Sequence, residues 1–474
     1  MIIGIGVLFA VNRILASVVL IIYLLYWTCR LIYMMLLLVV AHKRVHDYKD
    51  VDWRALCREH SESLAHEDIV HIILYPIYKE PQKLIETSMA ALARVNFPKE
   101  QMIVVLAGEM RDTDAEEKLN AIKEQFAGTF RDLVITVHPD GIPGEIPSKG
   151  ANATYAARQM KTYCDREGIA IDHAVVSCFD VDTKPDEQYF ACLTYHFISS
   201  PNRHQLSYQP FPIYSNNIYE AGAFARVVEL GSTFWQLIES MRYEKFITFS
   251  SHSMSFKTLV DVDYWPVDMI SDDSVIFWKG YLHHNGCYRT YPLEVPVYMD
   301  IATGSTIVET VVIQYKQKRR WAWGVENFVF LAMAFSKTRR IAFLEKTRRL
   351  FQLLEVHVQW ATWAVIISFM TPLIIFWGKY TGNDILILCN LSYINSVISN
   401  ALFFIILLCI IISMQFLPPR PKHISRFFYV YFLVQWIFLP VISAFLGSFP
   451  ALDAQTRLMC GKYLSFYRTP KGKT

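Results

Sequence analysis

Two aspartates follow an apolar run near the middle of the chain. In FDVDTKP (179–185), Asp180 and Asp182 are separated by one residue, and alternation along an extended chain puts them on the same side. Two acids that converge at the end of a strand can hold a hard divalent cation, Mg²⁺ or Mn²⁺, because such ions take oxygen ligands and accept substrate phosphates. A turn or helix cap that uses the aspartate side chains is the alternative.

A second acidic pair opens an apolar, helix-like run. In MISDDSVIFWKG (269–280), Ser271 is followed by Asp272 and Asp273. Serine and acids at this position are typical of a helix N-cap, where negative charge favours the helix dipole. The functional interpretation makes one carboxylate a general base, which removes the proton of an acceptor hydroxyl.

A basic helix carries the pattern QxxRW. In QYKQKRRWAWGVEN (314–327), the pattern is formed by Gln317, Arg320 and Trp321, with further basic residues around it. Alone, such a segment is also typical of a basic helix lying on a membrane surface. The two roles are compatible, because some residues can face lipid headgroups while others face a site.

Two shorter segments place polar residues where a phosphorylated ligand would bind. IPSKGANATYAA (146–157) opens a helix with Lys149 and Gly150, and helix N-termini bind phosphate through free N–H groups and the dipole. YPIYKEP (75–81) follows the first predicted strand and brings Glu80 to the place of a nucleotide. A solvated helix start and a proline-rich turn are the respective alternatives.

The elements that must position these residues alternate in type. Apolar, β-rich runs predict strands, and helical spacing between them predicts helices. The predicted strands are DIVHIILY (68–75), EQMIVVLAG (100–108), a third that starts at ITVHPDG, and HAVVSCFDVD (173–182). The predicted helices are 83–95 and 149–164. This order implies an α/β fold with a mostly parallel sheet and helices on both faces. Ligands bind at the carboxyl ends of the strands in such sheets, and Asp180 and Asp182 fall there.

Apolar residues are concentrated at the two ends of the chain. The hydrophobic share is 53% of 474 residues, above the roughly 45–50% of soluble domains, while the net charge of +3 indicates no class of partner. Residues 1–41 predict one membrane helix from about 15 to 40 rather than a cleaved signal peptide. Further predicted spans cover 357–378, 396–417 and 427–449.

Basic residues flank these spans on one side. The stretches 42–44 and 337–349 and the loop PPRPKHISR (418–426) are basic, so the positive-inside rule predicts that they and the middle of the chain are cytoplasmic. Three complete C-terminal spans would then leave the basic tail outside. The alternative is that the last segment, which contains Pro440, re-enters without crossing.

The order of the motifs resembles that of the membrane-integrated family 2 glycosyltransferases, the group of cellulose, chitin and hyaluronan synthases. The similarity covers about residues 68–325 and the membrane layout. It is carried, in order, by the turn PIYKE, the Asp180-Val181-Asp182 motif, FSSHSMSFK (249–257), Trp265-Pro266, Ser271-Asp272-Asp273 and the intact QxxRW. The resemblance implies a GT-A type nucleotide-sugar-binding domain flanked by transmembrane helices.

The resemblance also implies a role for each candidate residue. It implies one catalytic base, one metal ligand and two binding groups: Asp273 as the base, Asp182 on Mg²⁺ or Mn²⁺, Glu80, Lys149 and Asp180 on the nucleotide-sugar donor, and Gln317, Arg320 and Trp321 on the diphosphate and the acceptor's terminal sugar.

Three positions depart from the family pattern. The acidic turn expected after the second strand reads Leu106-Ala107-Gly108-Glu109 here, and we expect Glu109 to replace it with a longer arm. Ser251 replaces the acceptor-side glycine, and Asp272 replaces a glutamate before the base. These changes indicate an atypical subfamily.

The predicted organisation has four parts: an N-terminal transmembrane segment (1–44), a cytoplasmic glycosyltransferase domain (45–335) that includes an interfacial helix (308–335), a C-terminal transmembrane bundle (336–450) and a basic tail (451–474). The expected protein is an integral protein of the plasma (inner) membrane. It would transfer a sugar with inversion from a nucleotide sugar to a glycan or lipid-linked acceptor, in contact with membrane lipid and without nucleic acid. Polysaccharide synthesis is the leading hypothesis; single transfer to a lipid carrier and an inactive regulatory homologue are the alternatives.

Overall fold

The computed structural model describes residues 1–60, 64–380 and 386–471. Residues 472–474 of the predicted basic tail therefore lie outside the described residues. The strands are β1 Val70–Pro76, β2 Met102–Glu109, β3 Asp132–His138, β4 Ala174–Cys178, β5 Lys184–Pro185, β6 Leu206–Tyr214, β7 His252–Ser255 and β8 Arg289–Met299.

The α-helices surround this sheet and extend from it. They are Ile2–Val11, Arg13–Asp47, Trp53–Glu59, Gln82–Ala93, Ala115–Gln125, Lys149–Glu167, Tyr189–Ser199, Ala223–Ser240, Phe256–Asp261, Asp272–His283, Ile307–Ala322, Glu326–Lys337, Phe343–Val365, Thr371–Tyr380, Leu386–Gln415, Phe427–Val434, Leu439–Ile442 and Phe449–Met459.

One mixed sheet contains the eight strands of the described chain, in the order β3-β2-β1-β4-β7-β6-β8-β5. The first four are parallel to their neighbours, β7 runs antiparallel to β4 and β6, and β8 is parallel to β6. The predicted α/β class with a mostly parallel sheet is confirmed. The antiparallel part was not predicted.

The core lies on both faces of the sheet. Ile72 and Leu74 of β1 belong to the apolar cluster on one face, and Ile73 and Tyr75 belong to the cluster on the other. A parallel strand covered by helices on both sides is apolar along almost its whole length, which explains the apolar runs of β1 and β2, in which His71 and the final Glu109 are the polar exceptions.

Four helices of the described chain are long and apolar enough to cross a membrane: Arg13–Asp47, Phe343–Trp377, Asn390–Gln415 and Phe427–Met459. Each overlaps one of the predicted spans.

The last of these helices contacts the α/β part of the chain at both ends. Near its start, the Tyr219 and Phe428 rings lie 4.9 Å apart. Near its end, Arg319 pairs with Asp453 at 2.8 Å. A segment that begins and ends against the same domain returns to its own side, so these contacts favour the re-entrant alternative for 427–449.

Candidate active site

The loops that carry the candidate residues leave neighbouring strands. Leu74 near the end of β1 is in register with Cys178 at the end of β4, and Pro76 is in register with Ala107 of β2. The segments after these strands therefore emerge at the same edge of the sheet, the edge at which ligands bind in parallel sheets.

Lys149 joins the two acidic motifs. Its Nζ lies 2.8 Å from Asp180 Oδ1 and 2.9 Å from Asp273 Oδ1. Burial alone would lower the pKa of Lys149, but the two carboxylates outweigh burial and hold that pKa well above its usual value. Lys149 is therefore a cation that binds both acids.

The backbone around Lys149 fixes its position. Lys149 is the first residue of its helix, and the Ser148 hydroxyl accepts a hydrogen bond of 3.2 Å from the Ala151 N–H as the N-cap. A Cβ at Gly150 would lie 2.5 Å from the Pro266 carbonyl oxygen. The glycine thus permits the close approach that brings Lys149 to Asp273.

Asp180 exchanges two hydrogen bonds with the segment that the family resemblance places on the acceptor side. The Ser250 hydroxyl donates to Asp180 Oδ2 at 2.6 Å, and the Asp180 N–H donates to Ser251 Oγ at 3.1 Å. Burial opposes ionisation, but Lys149 and Lys471 lower the pKa of Asp180 well below its usual value. Asp180 is therefore an anion at neutral pH.

Asp182 is fully buried. Its Oδ2 accepts a hydrogen bond of 2.9 Å from the Asp300 N–H, while its Oδ1 contacts the Lys471 ammonium group. Burial raises the pKa of Asp182 to about 6, and Lys471 only partly offsets this effect. The carboxylate is thus fixed through one oxygen and presents the other to a cation.

Asp272 and Asp273 occupy different environments. Ser271 holds the predicted N-cap position, but its hydroxyl donates to Glu326 Oε1 instead of accepting from the helix backbone. Asp272 is 2% exposed, its Oδ2 has no hydrogen-bond partner among the described residues, and burial raises its pKa well above the usual value. Asp273 has a side chain that is 22% exposed, so Asp273 is the accessible member of the pair.

The QxxRW residues lie on the helix Ile307–Ala322. Gln317 is 3% exposed, and Gln317 Oε1 and Arg320 Nε have no hydrogen-bond partner in the described part of the chain. Trp321 packs edge-on against Phe249, with ring centroids 5.2 Å apart. Buried polar groups are normally paired, so these unpaired atoms are suited to a ligand.

Lys318 supports Trp321 from within the same helix. Its ammonium lies 3.4 Å from the centre of the Trp321 ring and 2.9 Å from Glu229 Oε2. Burial lowers the pKa of Lys318 to about 8 despite this partner.

The candidate residues line two clefts that share a boundary. The first cleft is lined by the predicted donor and metal residues Glu80, Glu109, Lys149, Asp180 and Asp182. The second is lined by the predicted base and acceptor residues Asp273, Gln317, Arg320 and Trp321. Asp180, Arg320 and Lys471 line both clefts. The structure thus brings all nine predicted residues together, while their roles remain predictions.

No protein-family model matches the sequence, and no curated protein matches it at a significant level. Solved structures with a similar fold are glycosyltransferases. The mannosyltransferase PcManGT from Pyrobaculum calidifontis, in complex with GDP-Man and Mn²⁺, has 11% identity and a TM-score of 0.45, covering 94% of this chain and 99% of its own. S. aureus TarS (residues 1–349, with UDP-GlcNAc) has 13% identity and a TM-score of 0.38, covering 84% and 93%.

A third neighbour covers less of the chain. GalNAc-T7 with UDP, GalNAc and Mn²⁺ has 7% identity and a TM-score of 0.32, covering 49% of this chain and 43% of its own. Because these TM-scores are all below 0.5, the function proposed below rests on the geometry of the site itself.

Glu80 and Glu109 line the first cleft. The Tyr78 N–H donates to Glu80 Oε2, and burial raises the pKa of Glu80 to about 7. Glu109 is paired with Arg111, whose guanidinium lies 4.6 Å from the centre of the Tyr78 ring. Burial also raises the pKa of Glu109, although Arg111 opposes the shift.

Several residues that shape the site were not predicted. Asp112 accepts a hydrogen bond of 2.9 Å from the Lys79 N–H, which fixes the turn after β1 at a residue with φ of 61°. Asp300 directly follows the end of β8 and lies beside Asp182. The only feature of the sequence that could have identified Asp300 as a site residue is its position after a strand. Arg468 and Lys471 come from the tail, where basic composition alone gave no indication of their place.

A divalent metal fits the residues present at Asp182. Asp182 Oδ1 already accepts a cationic group, the Lys471 ammonium, and a carboxylate with substrate phosphates is a common Mg²⁺ environment. Within the described residues, one group of three side chains of types that bind metals lies close together, and it is at a different place, formed by Cys192, His196 and Glu294. The Glu294 carboxylate there is paired with Arg44 and hydrogen-bonded to His196.

Proposed function

We propose that this protein is a membrane-integrated, inverting glycosyltransferase of family 2 that uses a nucleotide-sugar donor. The observation that carries the proposal is the Lys149 bridge between Asp180 and Asp273. Because Asp180 borders both clefts and Asp273 lines the second, the bridge sets the proposed base at the junction of the two clefts.

The donor would bind in the first cleft. Lys149 at a helix N-terminus would offer positive charge and the helix dipole to a diphosphate, and Arg320, which lines the same cleft, would offer a guanidinium group. Asp182 would hold Mg²⁺ or Mn²⁺, which supplies charge neutralisation at the leaving diphosphate when bound. Glu80 and Glu109, which line the same cleft, would contact the nucleotide.

The acceptor would bind in the second cleft. Trp321 lines this cleft beside Gln317 and Arg320, and an aromatic side chain beside polar groups suits a sugar ring. Asp273 removes the proton of the acceptor hydroxyl as that oxygen attacks the anomeric carbon from the face opposite the diphosphate. One carboxylate suffices, because the leaving diphosphate needs no proton, whereas glycosidases use two. The product is therefore inverted.

The helix that carries QxxRW also contacts the apolar end of the chain. Arg319 on this helix pairs with Asp453 in the last apolar helix. We therefore propose residues 45–335 as the catalytic domain, with the interfacial helix 308–335, between membrane segments 1–44 and 336–450. The basic flanks support a cytoplasmic catalytic domain at the plasma (inner) membrane.

Growth of a polysaccharide is the leading proposal for the reaction, and single transfer to a lipid carrier is the second candidate. The accessible Asp273 and the unpaired polar atoms of Gln317 and Arg320 favour an active enzyme over an inactive homologue.

Product length separates these possibilities. Purified protein in detergent, incubated with Mn²⁺ and a labelled nucleotide sugar that it hydrolyses or transfers, should yield a polymer ladder. A single added sugar would indicate the lipid-carrier reaction. Absence of any product with every donor, with Asp273→Asn as the matched control, would contradict the proposed function.

A further inference from the structure

The C-terminal tail runs across the first cleft. After the helix Phe449–Met459, the chain turns at Gly461, whose φ is 66°, and residues 463–471 form neither helix nor strand. The Tyr463 hydroxyl donates to Glu326 Oε2 at 2.6 Å at the start of this course. Leu464 and Thr469 are buried along it.

Side chains of the tail contact the groups that the proposed mechanism needs. Phe466 lies under the Arg320 guanidinium, which is 5.3 Å from the ring centre. The Arg468 guanidinium donates to the carbonyl oxygens of Tyr78 and Lys79, at 3.3 and 2.5 Å. These contacts lie at Arg320 and at the turn after β1, both of which line the first cleft.

The deepest contact is made by Lys471. Its ammonium lies on Asp182 Oδ1, and its side chain is 15% exposed. A metal ligated by the same oxygen at about 2.0–2.6 Å would stand beside a second cation, the Lys471 ammonium group, and two like charges at such a distance repel each other. The Lys471 contact therefore opposes metal binding at Asp182.

We propose that the tail, residues 462–471, is an autoinhibitory strap that occupies the donor cleft and leaves it when metal and nucleotide sugar bind. The inference rests on the proposed function, because it concerns access to the same site. Residues 463–471 belong to no strand or helix, and the contacts described above are made by side chains of the tail, so its release does not require any part of the sheet to unfold.

The alternative is that Arg468 and Lys471 belong to the donor site and contact the diphosphate. The geometry favours the strap, because Lys471 binds the carboxylate oxygen of the proposed metal ligand and Arg468 binds backbone carbonyls. In this position the Lys471 ammonium and the Arg468 guanidinium both donate hydrogen bonds to acceptors of the protein itself.

Binding of Mn²⁺ alone tests the strap without turnover. The full chain in detergent is titrated with Mn²⁺ by calorimetry or electron paramagnetic resonance, as wild type, Lys471→Ala, Asp182→Asn and the control Lys462→Ala. Lys462 is an exposed tail cation. If the strap is closed in about nine molecules of ten, Lys471→Ala should lower the Kd for Mn²⁺ about tenfold, and Lys462→Ala should leave it unchanged.

Limited trypsin cleavage after Arg468, read by intact mass, gives a second readout. Wild type should be cut slowly, and Mn²⁺ with a nucleoside diphosphate should accelerate the cut. Asp182→Asn should accelerate it even without metal, because Lys471 then loses its carboxylate partner.

The outcomes distinguish the two proposals. Equal Mn²⁺ affinity in wild type and Lys471→Ala, with binding lost in Asp182→Asn, would overturn the strap and leave the proposed function intact. Weaker Mn²⁺ binding in Lys471→Ala would place the tail in the donor site and also overturn it. Absence of Mn²⁺ binding in every variant would overturn the strap together with the metal-dependent function.

Discussion

Asp272 and Asp273 are adjacent, yet the structure predicts opposite consequences for their substitution. Asp273 has an exposed edge and contacts Lys149 at 2.9 Å. In Asp273→Asn, Lys149 keeps its other partner, Asp180 at 2.8 Å, so the donor cleft should keep its charge arrangement. A positioned general base contributes about 10²–10⁴ in rate, or about 3–5 kcal/mol of barrier. We expect kcat to fall by that factor while the Kd for the donor changes little.

Asp272 should respond differently because it is buried, and burial raises its pKa and so favours the neutral carboxylic acid. In Asp272→Asn, a neutral amide of almost the same shape takes its place. Because the Asp272 Oδ2 atom has no hydrogen-bond partner among the described residues, the substitution breaks no hydrogen bond at that atom, and we expect a cost of at most about 0.5–1.5 kcal/mol, a factor of about 2–10 in rate.

Donor affinity and single-turnover rates, measured for both variants, decide between the two acids. An inactive Asp272→Asn together with a nearly normal Asp273→Asn would refute the assignment of the base. Normal rates in both variants would refute the glycosyl-transfer mechanism at this site.

Four further results are expected. Asp182→Ala, or excess chelator, should abolish turnover in a donor-consumption assay, and full activity in either condition would contradict a metal at this carboxylate. Exposed Cys287, within 45–335, should react with a membrane-impermeant maleimide only after cells are permeabilised; labelling of intact cells would contradict the cytoplasmic orientation. Burial raises the pKa of Glu80 from 4.5 to about 7, so this residue contributes stability that is fully present below about pH 4.5 and is lost as pH rises through 7. Glu80→Gln should therefore raise Tm more at pH 8 than at pH 5. An equal rise in Tm at the two pH values would contradict the raised pKa. Lys318→Met should lower the free energy of unfolding by about 3–5 kcal/mol, because it leaves the buried Glu229 carboxylate unpaired. Chemical denaturation measures this loss, and adding Glu229→Gln should reduce it. An equal loss in the double variant would contradict a coupled pair.

The parallel half of the sheet could be predicted because its strands obey a simple rule. β1 and β2 are covered on both faces, so nearly all their positions are apolar, with His71 and Glu109 as the exceptions, and the length of the run predicts the strand. β6 could not be recognised in the same way, since Pro210 and Pro212 interrupt it and proline normally excludes a central strand assignment. The register shift between Gln209 and Phe211 accommodates these prolines.

The sequence predicted which residues line the candidate site, but it did not predict how they are arranged in space. Motif order named the acids and the QxxRW group, and the structure brings them to two adjoining clefts. The sequence could not distinguish buried Asp272 from accessible Asp273, because burial depends on the packing around the helix start. It also could not place Lys471, since the contact with Asp182 joins residues 289 positions apart.

The topology of the last apolar helix illustrates the same limit. Hydropathy predicts a span for 427–449 by length, and Pro440 permits a bend. The contacts of Phe428 and Asp453 with the α/β domain depend on tertiary structure, and they favour a segment that returns to its own side.

The central claim is that Asp273 and the donor cleft together transfer a sugar from a nucleotide donor. The most direct measurement is nucleotide release by purified wild-type protein against a panel of nucleotide sugars with Mg²⁺ or Mn²⁺, in parallel with Asp273→Asn. We predict metal-dependent release from at least one donor and a loss of about 10²–10⁴ in rate for the variant. Release from no donor, or equal release by wild type and Asp273→Asn, would contradict the claim.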